Sequence, residues 1–75
     1  MEQTVRAEMV ASVHSVIASV GDEVVPGDTL VVLESMKMEI PVIVEWAGTV
    51  VDIPVRPGDV VHEGDLLVTL SLTAG

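Results

Sequence analysis

Near the middle of the chain stands Glu34-Ser35-Met36-Lys37-Met38-Glu39, which holds its only lysine. A primary amine in that setting is either a catalyst or a substrate. A catalytic base or Schiff-base nucleophile must shed its proton near neutral pH, and that takes burial or a neighbouring cation. The sequence neighbours of Lys37 are Glu34 and Glu39 instead, and carboxylates favour the charged ammonium. Ser35 suggests a Ser–Lys pair, but a hairpin tip offers neither a pocket nor oxyanion donors. As the target of another enzyme, the amine needs only exposure and a fixed geometry, and a tight turn between two apolar β-like runs supplies both. Met36 and Met38 add flexible, polarisable surface for docking. The plainer alternative is an ordinary solvated lysine between two core-facing methionines.

Other reactive side chains form weaker patterns. His14 and His62 lie far apart and match no metal-ligand spacing, so both are expected in surface or turn positions. Gly21, Gly27, Gly58 and Gly64 lack the strand-to-helix context of a phosphate loop. Asp22, Asp28, Asp59 and Asp65 recur beside those glycines, which favours turn structure over acid–base chemistry. Trp46, the lone aromatic residue, is expected to pack in a bend or against the core.

The elements around the lysine must be strands. Valine dominates a chain that is 49% hydrophobic and nearly free of aromatics, and its branched Cβ favours extended backbone. No segment keeps a 3.6-residue apolar period for three turns. The expected strands are Thr4–Glu8, Ser12–Ala18, Val24-Val25, Thr29–Glu34, Ile40–Glu45, Thr49–Val55, Val60-Val61 and Leu66–Leu72, after a frayed start at residues 1–4. Pro41 has no N–H, so its strand is expected at a sheet edge.

The second half repeats the first after 37 residues without a gap. Glu8 falls on Glu45, Val13 on Val50, Gly21-Asp22 on Gly58-Asp59, Val24 on Val61 and Gly27-Asp28 on Gly64-Asp65. Leu30-Val31 falls on Leu67-Val68, and Leu33 on Leu70. Two copies of one four-strand unit are expected to pack their apolar faces into a flattened barrel or sandwich with a pseudo-two-fold axis. The same shift carries Glu34–Met38 onto Ser71–Gly75, so the lysine tip and the chain end should sit at opposite ends.

Size and charge narrow the function. A chain of 75 residues is one small domain and buries only roughly 60% of its unfolded surface, which favours a carrier or binding module over an enzyme with a deep cavity. A net charge of -9 disfavours nucleic acid and is compatible with steering towards basic partner surfaces. There is no cysteine, no signal-peptide pattern, and no apolar run near the ~18 residues of a membrane helix. A cytoplasmic protein, monomeric in isolation, is expected. Taken as a whole protein, it would meet its partners by dissociable docking.

Glu34-Ser35-Met36-Lys37-Met38-Glu39 resembles the Glu-Ala-Met-Lys-Met signature of biotinyl domains, the biotin carboxyl carrier family. The doubled Gly-Asp-x-Val-x-x-Gly-Asp-x-Leu pattern matches as well, so the likeness covers about residues 5–72. It is nearest to the small free-standing biotinylated proteins of actinobacteria. The resemblance implies two four-stranded antiparallel sheets in a flattened barrel, with Lys37 on a protruding hairpin. It implies biotinylation of the Lys37 ε-amine by biotin protein ligase, from an activated biotinyl adenylate. It further implies that the biotin takes up a carboxyl group at a biotin carboxylase and delivers it to a carboxyltransferase acting on an acyl-CoA or a keto acid.

Departures from the pattern are small. Ser35 replaces the usual Ala. Ala7-Glu8-Met9-Val10-Ala11 replaces the common Ala-Pro-Met-Pro-Gly, which puts Ala11 where the second half has Gly48. If that bend needs positive φ, a different local turn is expected at Ala11. The unbroken repeat leaves no room for the thumb loop of some relatives, so the biotinyl arm is expected to be mobile. Two alternatives remain: a lipoyl-type acyl carrier, whose lysine typically follows Asp, and an unmodified interaction module of the same fold. Methionine on both sides of Lys37 argues for biotin.

Overall fold

The computed structural model describes residues 1–72 as eight strands and no helix. They are β1 (Glu2–Arg6), β2 (Ala11–Val16), β3 (Glu23–Val24), β4 (Thr29–Ser35), β5 (Met38–Ile43), β6 (Gly48–Asp52), β7 (Val60–Val61) and β8 (Leu66–Leu72). Two four-stranded sheets result, in the orders β1-β8-β6-β3 and β5-β4-β2-β7, with every pair antiparallel.

The halves do not pack as two separate units, as the repeat alone suggests. Each sheet takes two strands from each half. Replacing every strand by its repeat partner turns the first sheet's order into the second's. The reason is the turns. Asp22, Asp28, Asp59 and Asp65 each accept, on a carboxylate oxygen, the backbone N–H three residues earlier, at 2.8–3.0 Å. The glycine before each aspartate has positive φ, between 91° and 101°, a conformation that costs glycine little. These tight turns then bond across to the other half: Gly21 N–H donates to Val50 O and Gly58 N–H to Val13 O, both at 2.8 Å. Gly27 N–H donates to Val44 O and Gly64 N–H to Ala7 O in the same exchanged fashion.

The core is also doubled. Leu30 and Leu67, Val31 and Val68, Leu33 and Leu70, Val13 and Val50, Val24 and Val61, and Ala7 and Val44 are all buried. Each large side chain fully buried here contributes about 1.5–3 kcal/mol. Inward and outward residues alternate along β2, as a sheet with one wet face requires.

Several boundaries differ from the sequence expectation. The start is not frayed: Glu2–Arg6 pairs with Ser71–Leu66, and Leu72 N–H donates to Met1 O at 2.7 Å. A polar edge strand has no apolar pattern to announce it; its partner β8 recruits it. Ala11 needs no special turn. It opens β2 as Gly48 opens β6, and neither residue has positive φ. Gly48 is required by close approach instead, because a methyl group there would sit 2.5 Å from Ser71 O. Pro41 lies on β5, an edge strand, as expected. The repeat carries Met36, Lys37 and Met38 onto Thr73, Ala74 and Gly75, and these last three lie outside the described residues.

Candidate functional site

Antiparallel pairing brings Ser35 on β4 opposite Met38 on β5, so Met36 and Lys37 alone make the turn. Both have positive φ, 52° and 65°. Left-handed backbone at both central residues is the mark of a type I′ turn, whose twist matches that of the strands it joins. The usual Asn-Gly is absent, and for residues with a Cβ this conformation costs roughly 1–2 kcal/mol each. The pairing behind the turn holds it in place: Glu34 faces Glu39, Leu33 faces Ile40, and Val31 faces Val42. Leu33 and Val31 are rooted in the core.

The sequence predicts the hairpin tip but not its left-handed pair, because Met-Lys carries no turn signal. Lys37 is exposed. Met36 is 91% exposed and Met38 62%, so neither is a core residue. That removes the plain reading of a lysine between two core-facing methionines. Among the described residues the ion pairs are His14–Glu39 at 3.6 Å and His62–Asp65 at 3.8 Å, and neither involves Lys37. Glu34 and Glu39 therefore flank the tip without clamping the amine.

His14 is the neighbour that sequence spacing misses. It occupies the irregularity of β2 between Val13 and Ser15, and reaches Glu39 across β4. His62 stays in its turn, as expected, and Trp46 is partly buried against the core. No group of three or more metal-ligating side chains forms among the described residues.

The hairpin projects from the end opposite the chain start. β1 begins beside Leu72 and delivers the chain to Ser12, which faces Glu34 next to the tip. The molecule is 39 Å long and 19 Å by 17 Å across. The arrangement presents an exposed amine on a tight two-residue turn, outside any ion pair among the described residues.

The family model described as "Biotin-requiring enzyme", for biotin and lipoyl domains, matches residues 3–70. The biotinylated protein TB7.3 homolog of Mycobacterium leprae is 54% identical over 71 residues, covering 95% of this chain and 100% of the relative. A single-chain, multi-domain long-chain acyl-CoA carboxylase superposes with a TM-score of 0.90 at 38% identity, over 96% of this chain and 7% of that one. The lipoyl domain of the 2-oxoglutarate dehydrogenase complex from Azotobacter vinelandii superposes at 0.76 with 26% identity, over 87% of this chain and 82% of that domain. The fold is thus shared with a segment of a carboxylase and with a lipoyl domain. The chain is a carrier-type domain and belongs to the biotin/lipoyl family.

Proposed function

We propose that Lys37 is the site of covalent biotin attachment and that the protein carries carboxyl groups between two enzymes in the cytoplasm. The observation that carries this reading is the exposed Met36-Lys37 turn, with methionine on both sides of the chain's only lysine. The likeness to a biotinylated relative and to a carboxylase segment supports biotin over lipoate.

The chain's own residues supply presentation. The Lys37 amine attacks the activated carboxyl carbon offered by a biotin protein ligase. The amide C–N bond forms, the acyl–phosphate bond breaks, AMP leaves, and the ligase takes the amine's proton. Met36 and Met38 offer the ligase apolar surface, and the paired strands β4 and β5 keep the amine clear of the barrel. When bound, biotin supplies a ureido nitrogen that accepts and releases a carboxyl group. The partners are then biotin protein ligase, a biotin carboxylase, and a carboxyltransferase whose acceptor is an acyl-CoA or a keto acid.

The test is transfer of label. Biotinylated protein, a biotin carboxylase, ATP and labelled bicarbonate should place label on the wild-type protein and none on Lys37→Arg of equal fold. Label on both, or on neither, overturns the reading.

A further inference from the structure

A groove of about 410 Å³ runs between β1 and β5, the edge strands on one side of the two sheets. It lies on the pseudo-two-fold axis, since its walls exchange under the 37-residue shift: Thr4 with Pro41, Val5 with Val42, Glu8 with Glu45, and Met9 with Trp46. Two departures from symmetry point one way. Leu33 and Ile40 line the groove, whereas their counterparts Leu70 and Gln3 do not. Those two residues face each other four and three positions from Lys37, so the groove is extended towards the lysine end.

Its chemistry is one-sided too. β1 runs towards the hairpin end, so Arg6, Glu8 and Met9 lie on the lysine side of the axis. On the far side their counterparts are Ile43, Glu45 and Trp46, with no cation. Arg6 donates one N–H to Gly64 O at 2.9 Å, which leaves other guanidinium donors free. The lysine half thus combines an apolar wall with one cation and one carboxylate.

Building on the attachment of biotin to Lys37, we infer that the loaded arm folds back along β5 and lodges its fused rings in the lysine half of this groove. Ile40 and Met9 would cover the apolar ring face, over a floor closed by the buried Leu33. The Glu8 carboxylate would accept from a ureido N–H, and Arg6 would donate to the ureido oxygen. Ile40 is three residues from Lys37, about 10 Å at a strand rise of ~3.3 Å per residue. A lysine side chain extended by a pentanoyl chain spans that distance. The tether also raises the ring's effective concentration to the order of millimolar, so weak contacts suffice. The resting arm is then held without a thumb loop, in place of the mobile arm expected from the sequence, and a partner enzyme must draw it out.

The experiment compares three forms by methyl and indole NMR: unmodified protein, protein biotinylated on Lys37, and protein carrying only a pentanoyl group there. Both acyl groups are added chemically as active esters, and ion exchange isolates the single adduct that peptide mapping places on Lys37 and not on the Met1 α-amine, so the result does not depend on any ligase. Biotinylation should shift the Met9 methyl signal and, less, the Trp46 indole signal, while Met1 at the opposite end stays put and pentanoylation leaves all three unmoved. A Lys37-biotinylated protein with an unshifted Met9, or an equal shift from the pentanoyl form, overturns the inference. Failure of the ligase to accept Lys37 would instead strike the attachment reading alone.

Discussion

The β4–β5 hairpin and the β8–β1 pair are the same structure at opposite ends of the molecule. Ser35 faces Met38 at one end; at the other, their counterparts Leu72 and Met1 are joined by a 2.7 Å hydrogen bond. The registers shift at equivalent places, between Thr29 and Val31 against β5 and between Leu66 and Val68 against β1. One end is closed by two residues in left-handed conformation, and the other is where the chain begins. A single scaffold therefore makes two equivalent ends, and only the residues placed at one of them make it a site.

The largest effect expected from testing this equivalence is in the core. Leu33→Ala and Leu70→Ala should each cost about 2–5 kcal/mol, and nearly the same amount, because both are buried at equivalent positions. Denaturant titration checks this; a large difference would show that the lysine end is anchored differently. Next, Gly48→Ala should cost about 1–3 kcal/mol through its clash with Ser71 O, whereas Ala11→Gly should cost only about 0.5–1 kcal/mol. Equal costs for those two changes would mean that the two strand starts are not distinguished by close approach.

Smaller effects come from the turns. Asp28→Ala and Asp65→Ala each remove the acceptor of one backbone N–H and should cost about 1 kcal/mol apiece by thermal unfolding. The smallest effect is at the tip. Met36→Asn places a residue tolerant of left-handed backbone there and should stabilise by less than about 1 kcal/mol. A clear loss of stability would mean that Met36 makes a contact its 91% exposure does not suggest.

Much of this is legible in the sequence. The Gly-Asp turns announce themselves because positive φ and a local carboxylate acceptor need those residue types. The lysine tip stands out because no other lysine competes with it. The exchange of strands between halves is not legible, since local patterning specifies strands and not their partners. Nor is the pairing of Glu2–Arg6, whose polar residues form a strand only because β8 offers an edge. His14 meets Glu39 only because β2 and β5 flank β4, a neighbourhood set by topology.

Lys37, and no other group, is proposed to receive biotin. Peptide-resolved mass spectrometry of the protein made in cells holding both biotin and lipoate ligases tests it most directly. One biotinyl group on the peptide containing Lys37, and none on the Lys37→Arg protein, is the predicted result. A lipoyl group at Lys37, an unmodified Lys37, or biotin elsewhere on the chain would contradict it.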